Sequence, residues 1–425
     1  MLEVLRQVSV RPTGRGWQAI FFGVLSFILA WLVGTTQLYQ LAYALAGLLV
    51  GALVLGFVLL RGLGYARRVP TGERFVAGRP SQVEIVVHNA SRTRSPGLEV
   101  VDHLPKRRLL ARPPVEGLSK QATWEPVLFA RRGLYEFGPA QIRATDPFGL
   151  LLFVRRFEAR AEVVVYPEVF SLHGFPVRGR GTETGTQNSF KQRGEEFSDL
   201  REYRHGDDRR HIHWKSVARM GELIVKEFAH ESPQRHAVVL DLSGGSHVPE
   251  VEVEDAVSAA ASVLRLLALE GLPFRLLCAD KARSATGFGD DEAAYWEAMG
   301  LLAAVRADGD TQPGDFLTER LREKREEFGE GVILVSRSLS DGLMKSVEKL
   351  RATGLSVVVM ALAAHTYRGG HGSSSGGEAA FSENVRRLGL AGTEVCVVRR
   401  PGGVAALAEG GRQEAAGVRG AAVQR

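Results

Sequence analysis

The sequence predicts an α/β plus β protein: two N-terminal transmembrane helices, a small β-sandwich-like module, and a doubly wound α/β domain. Three observations carry this. No charged residue occurs from Trp17 to Leu60. Residues 70–170 hold short β-rich runs separated by Gly, Pro, Ser and Arg turns. Beyond residue 234, runs apolar on both faces alternate with amphipathic helical stretches, the pattern of a mostly parallel sheet. The chain has 425 residues, 45% hydrophobic and 24% charged, so two or three domains with real cores are expected.

The uncharged stretch is too long for one span, and Gly34-Thr35-Thr36-Gln37 divides it. Segments 17–34 and 38–60 would extend about 27 and 35 Å as helices, against a hydrocarbon core of about 30 Å. Residues 1–16 form a short arm before the first span. Arg6, Arg11 and Arg15 precede the hairpin, Arg61, Arg67 and Arg68 follow it, and the turn between the spans is uncharged. The positive-inside rule then places both termini and all soluble parts in the cytoplasm, on a multi-pass protein of the plasma membrane. A cleaved signal peptide fits poorly, because the apolar run is too long and lacks a small-x-small site. Gly47 and Gly51 form a GxxxG spacing suited to close helix approach. No acid or base lies inside the spans, which disfavours an ion or proton path.

The β module is expected over 61–170. Its runs include QVEIVVHN, LEVVDHL, TWEPVLFA, LYEFGPAQIRA and EVVVYPEV. Two landmarks fall inside it. One contains Arg132, Gly133, Tyr135, Gly138 and Pro139. The other is the turn Asp146-Pro147-Phe148-Gly149, with Phe148 placed to plug the core. A connector and charged region at 171–233 follows. Gly179, Gly181 and Gly185 superficially resemble a phosphate loop, but the spacing and the absence of a strand–helix bracket favour a flexible linker.

The α/β domain is expected over 234–400. Its strands are HAVVLDLS, PFRLLCAD, GVILVS, LSVVVMAL and EVCVV. Helices are expected near 252–270, 291–306, 314–328, 341–353 and 379–390, with Asp341 as an N-cap. A mobile loop is expected at 368–378 and a fraying tail at 401–425. Cys278 and Cys396 sit in apolar strands and read as reduced core residues. The net charge of +6 is compatible with an anionic membrane surface and does not imply nucleic acid, for which no reading motif is present.

The most distinctive run is LREYRHGDDRRHIHWKSVARMGELIVKEF. With RRGLYEFGP, TDPFGL and VVVYPEV it resembles the family catalogued as domain of unknown function 58. That resemblance implies two spans, a β module and a von Willebrand factor type A-like domain. It also implies an adaptor or assembly role beside a MoxR-type AAA+ ATPase and a transglutaminase-like membrane protein. The family has no established activity.

Type A domains hold Mg²⁺ through Asp-x-Ser-x-Ser, a Thr and a later Asp. Here Asp241 and Ser243 are present and Thr311 is the candidate threonine. Gly245 replaces the second serine, and Ser336 and Arg337 stand where the later Asp belongs. No resident cofactor is expected, Mg²⁺ being the one candidate. In the charged run, His205, Asp207, Asp208, His211 and His213 could form a metal or acid–base set, but the surrounding arginines disfavour a cation. No catalytic residue is assigned. The favoured reading is an inter-module ionic clasp of Arg201, Tyr203, Gly206, Asp207, Asp208, Arg210, His213, Trp214, Lys215 and Arg219. In it, Asp207 or Asp208 caps a helix over 209–220, Trp214 and Ala218 share one buried face, and ELIVKEF follows as a strand leading into the sheet. Arg201, Arg204, Arg209 and Arg210 leave an anion site as the alternative. The rival function classes are a metal-dependent hydrolase using 205–213 or Asp241, and a cation-dependent binding domain.

Overall fold

The computed structural model describes residues 8–70, 72–104, 106–112, 115–177, 197–203, 212–228, 234–244, 248–367, 375–400 and 402–410. The chain forms two compact units: Met1–Glu168 with Leu302–Ala304, and Val169–Leu301 with Val305–Arg425.

The first unit opens with β1 (Val8–Pro12), then α1 (Gly14–Val33) and α2 (Thr36–Leu60). Ten strands follow: β2 (Leu63–Arg68), β3 (Phe75–Val76), β4 (Pro80–Asn89), β5 (Leu98–Leu104), β6 (Lys106–Arg112), β7 (Ser119–Leu128), β8 (Gly133–Phe137), β9 (Ala140–Thr145), β10 (Leu151–Phe157) and β11 (Ala161–Tyr166). Thr13 caps α1 by accepting the Gly16 N–H at 3.1 Å. The break between the helices falls where expected. Gly34 ends α1 at φ 75°, a conformation that favours glycine, and Thr35 precedes α2. Both helices are long and apolar enough to cross a membrane. They cross with Leu45 beside Gly23 and with Phe27 edge-on to Tyr39. Gly47 and Gly51 face open space, so their spacing serves no contact among the described residues.

The strands form three sheets, ordered β1-β10-β9-β5-β6, β3-β11-β8 and β2-β4-β7. Val83, Ile85 and Val87 of β4, Val100, Phe137, Ile142 and Phe153 share the core. The structure differs from the sequence expectation in the arm before the first span. Val8 to Pro12 pair antiparallel with Arg155 to Leu151. The alternation in VSVRP places Val8 and Val10 against the core. The hairpin is therefore entered from one strand of this unit and left into another. The second span is also shorter in effect than 38–60. Ala52, Gly56 and Leu60 are buried, and a Cβ on Gly56 would lie 2.2 Å from the Phe153 ring, so the last turns of α2 pack on the strands.

Arg67 is not a surface flank of the hairpin, as its position after the span suggests. Its guanidinium pairs with Asp102, both side chains being essentially buried. It also donates to the carbonyls of Ala159 at 2.7 Å and Gly138 at 3.1 Å, and lies over the Phe137 ring. The Tyr65 hydroxyl donates to the same carboxylate. Burial, then the Asp102 charge, pushes that hydroxyl well above the usual phenol range.

The second unit begins with β12 (Phe197–Glu202), α3 (Trp214–Met220) and β13 (Ile224–Phe228). β12 and β13 form their own antiparallel pair, so ELIVKEF is a strand but does not enter the large sheet. Next come β14 (His236–Leu240), α4 (Glu250–Leu269), β15 (Phe274–Cys278), α5 (Glu292–Ala304), α6 (Pro313–Glu323), β16 (Gly331–Ser336), α7 (Asp341–Ala352), β17 (Ser356–Leu362), α8 (Ser375–Leu390), β18 (Glu394–Val398) and α9 (Gly403–Gly410). Strands β14 to β18 form one parallel sheet in the order β15-β14-β16-β17-β18. The unit is thus mixed α/β. α4 buries Ala256, Ala260, Val263, Leu264 and Leu267, the helical spacing read from the sequence.

Two smaller expectations are corrected. Ser340, not Asp341, caps α7, its Oγ accepting the Leu343 N–H at 3.3 Å, while Asp341 pairs with Arg387. The start of the tail is the helix α9, anchored by buried Val404.

Candidate functional site at the strand ends

β14 lies between β15 and β16 and is the point where the strand order reverses. Open parallel sheets leave a crevice there, outside the carboxyl ends of the strands. Asp241 to Ser243 leave β14 at this point, and Ser336 and Arg337 leave β16 beside them. Asp241 is only 1% exposed. One carboxylate oxygen, Oδ1, accepts the Ser243 N–H at 3.0 Å and its hydroxyl at 2.7 Å. The other, Oδ2, accepts the Ser336 hydroxyl at 3.0 Å and the Arg337 N–H at 3.3 Å.

The guanidinium of Arg337 closes the group. Its Nη2 lies 3.8 Å from Asp241 Oδ1, and its Nη1 lies 3.8 Å from Glu252 Oε1 on α4. Nε donates to the Asp241 carbonyl at 3.3 Å, and Nη2 donates to the Ser243 carbonyl. All these side chains are buried. Arg suits the place, because its planar fork can satisfy carboxylate and carbonyl groups together.

A neighbouring loop completes the wall. Gly309 forms a parallel bridge with Ser243 and donates to the Leu242 carbonyl at 3.1 Å. A Cβ there would lie 2.0 Å from the Ala279 carbonyl oxygen, so only glycine fits. Thr311 lies two residues further, half-buried. Gly245 and Ser246 lie outside the described residues. These residues do not fit a hard dication. Such an ion takes six or more oxygens and keeps several waters, whereas both Asp241 oxygens already accept hydrogen bonds and the adjacent charge is a guanidinium. Among the described residues no group of three or more His, Cys, Asp or Glu could hold a metal.

The β-module landmarks carry hydrogen bonds of the first unit. Gly138 lends its carbonyl to Arg67 and Pro139 lends its own to His103 Nδ1 at 3.0 Å. Tyr135 packs on Phe129 and donates to the Arg131 carbonyl, beside half-buried Arg132 and Gly133. Asp146 is buried and accepts from the N–H groups of Phe148, Leu150 and Leu151 at 2.8, 2.8 and 2.5 Å. Phe148 does not plug the core, since half of it is exposed.

The charged run is only partly described. His205, Gly206, Asp207, Asp208, Arg210 and His211 lie outside the described residues, as do Arg204 and Arg209. Arg201 pairs with Val225 through the backbone, and the Tyr203 N–H donates to the Leu223 carbonyl at 2.8 Å. The helix runs from Trp214, with His213 at its N-cap position and the His213 ring 2.7 Å from the Ser216 hydroxyl. Trp214 and Ala218 do share a face, but it is the open one. The indole is 65% exposed, and Lys215 and Arg219 are exposed as well. In a helix of two turns, the i,i+4 spacing shows which residues go together and not which side is buried.

The residues that sequence reasoning missed are Glu252 and the role of Arg337. The one available signal was Arg337 itself, standing directly after an apolar strand where a carboxylate was expected.

The fold defines a mixed α/β protein with two apolar N-terminal helices and several sheets. Residues 199–363 match the family model described as protein of unknown function DUF58, the family the charged run resembles. Over 215 residues the chain is 22% identical to the uncharacterized protein YeaD of Bacillus subtilis (strain 168), covering 50% of this chain and 52% of that protein. The chain thus matches about half the length of this curated relative. Among solved structures, the NMR structure of a CARDB domain from Pyrococcus furiosus matches with a TM-score of 0.19 and 12% identity, covering 24% of this chain and 94% of that one. The crystal structure of a GH2 beta-galacturonidase from Eisenbergiella tayi bound to galacturonate matches with a TM-score of 0.16 and 9% identity, covering 79% and 55%. Likeness at that level carries no argument about fold or function.

Proposed function

We propose that the chain is a membrane-anchored adaptor whose soluble units dock protein partners at the cytoplasmic face of the plasma membrane. The observation that carries this reading is the buried Arg337–Asp241–Glu252 group. The carboxylate at the strand-end crevice is already neutralised from within, which suits a surface for docking better than one for chemistry. Membrane attachment is supported by the two apolar helices. If they cross, pairing of β1 with β10 requires the residues before α1 and after α2 to lie on one side, and the arginine flanks favour the cytoplasm for that side. In this reading the α/β unit is a von Willebrand factor type A-like domain. The partners are a MoxR-type AAA+ ATPase and a transglutaminase-like membrane protein.

Photo-crosslinking of the full chain in native membranes, from residues placed around the crevice, tests the reading. Recovery of an AAA+ ATPase supports it. A Mg²⁺-dependent hydrolytic activity of the purified chain that is lost with Asp241→Ala overturns it. A reporter fused to residue 410 that is active outside the cell overturns the orientation.

A further inference from the structure

We infer that the 146–150 turn is a membrane-interface contact, with Phe148 inserted among phospholipid headgroups beside the first turn of α1. This rests on the reading of the helical hairpin as membrane-spanning.

Strand register sets the direction. β1 runs antiparallel to β10, with Pro12 opposite Leu151. The chain then continues from Pro12 into α1, while the β9–β10 hairpin turns at 146–150. The hairpin tip and the start of the apolar helix therefore lie at the same end of the sheet. They are also bonded to each other. The Thr13 N–H donates to the Leu150 carbonyl at 2.9 Å, and the Thr13 hydroxyl donates to the Gly149 carbonyl at 2.7 Å. Gly16 packs so closely on the Leu150 carbonyl that a Cβ there would lie 2.0 Å from its oxygen.

The tip is held firmly and yet presents an apolar ring. Asp146 accepts three backbone N–H groups within the turn, and Gly149 supplies the φ of 71° that closes it. Phe148 nonetheless leaves half its surface open. In water this exposure costs free energy with nothing gained. At the headgroup–acyl boundary it does not, because interfacial segments bury Trp, Phe and Leu side chains there. Trp17, one turn into α1, is 61% exposed at the same level. Arg15 is exposed between them, its guanidinium beside Gly149, where it can meet lipid phosphate. The occupant is a glycerophospholipid surface and not a protein groove, because the ring lies directly beside the segment that enters the bilayer.

The test uses the full chain with Cys278 and Cys396 replaced by alanine. Single cysteines at Phe148, Val24 and Glu158 carry a nitroxide label in phosphatidylethanolamine–phosphatidylglycerol vesicles. Glu158 follows β10 at the far end of the same hairpin, a whole strand away from the turn. Val24 lies midway along α1 and is exposed. Accessibility to oxygen against a water-soluble nickel chelate is read by power saturation. The label at Phe148 is expected to shift toward oxygen relative to Glu158, and less far than Val24. If Phe148 matches Glu158 while Val24 is lipid-exposed, the hairpin stands and the interface contact is overturned. If Val24 itself is open to the nickel chelate, the spanning reading fails and this inference fails with it.

Discussion

Replacing Arg337 by alanine removes two ion contacts at 3.8 Å, to Asp241 and Glu252, and two donors to backbone carbonyls. Breaking one partner out of a buried pair costs about 3–5 kcal/mol. No solvent discount applies, because the side chains of Arg337, Asp241 and Glu252 are at most 5% exposed. Asp241 keeps the Ser243 and Ser336 hydroxyls and two backbone N–H groups, so the lower end, about 3 kcal/mol, is expected. Ser336→Ala removes one neutral donor and should cost only about 1 kcal/mol. With two units in one chain, global unfolding is a poor measure. Native-state hydrogen exchange of β14 and β16 reads the affected unit directly. A 3 kcal/mol loss raises their opening more than about a hundredfold. The double variant Asp241→Asn with Arg337→Ala should lose less than the sum of the singles, because the second change no longer strands a charge. Millimolar Mg²⁺ should leave wild-type exchange unchanged. Arg337→Ala exchange within about 0.5 kcal/mol of wild type would refute the claim that the guanidinium holds the crevice.

Asp102→Asn leaves the Arg67 guanidinium buried without its counter-charge and should destabilise the first unit by about 3–5 kcal/mol, seen as faster exchange in β2 and β5. Unchanged exchange there would show that the Gly138 and Ala159 carbonyls suffice. Gly56→Ala drives a methyl against the Phe153 ring and should cost about 1–3 kcal/mol, whereas Gly51→Ala, facing open space, should be near neutral in thermal stability in detergent. Burial, and then the Glu394 charge, pushes the Cys396 thiol up to about 11 from its ordinary 9.0. The folded state then keeps a proton that the unfolded state loses first. This contribution is present below pH 9 and falls away between pH 9 and 11, and native alkylation at pH 8 should be far slower than in urea. Equal alkylation rates in the two states would contradict it.

The large parallel sheet was legible because its strands are mostly apolar runs between amphipathic helices, and burial of the central strands on both faces demands that pattern. The helical hairpin was legible from its lack of charge and its Gly34 stop. Single positions were less so. VSVRP is too short, and too close to an apolar helix, to announce that it pairs with β10 across the whole hairpin. Aromatic side chains bury well, which predicts a core place for Phe148, yet the Asp146 turn holds its backbone with half the ring exposed. The i,i+4 spacing predicts a shared face for Trp214 and Ala218, but which face is buried depends on neighbours that local spacing does not reveal. Asp241 and Arg337 are brought together only by the adjacency of β14 and β16.

The carboxylates expected to form the ionic clasp, Asp207 and Asp208, lie outside the described residues, while Trp214, Lys215 and Arg219 of the same run are exposed. The buried networks of Arg67 and Arg337 belong to charges set within or directly after strands. Arg67 and Asp102 each lie in a strand, and Arg337 follows one directly. An arginine in such a place has no water to turn to, so the fold must bring a carboxylate and spare carbonyls to it. Gly138 and Ala159 do this for Arg67, and Ser243 and the Asp241 backbone do it for Arg337. For these two networks, an arginine within or just after a hydrophobic strand is the sequence signal of an internal ion pair.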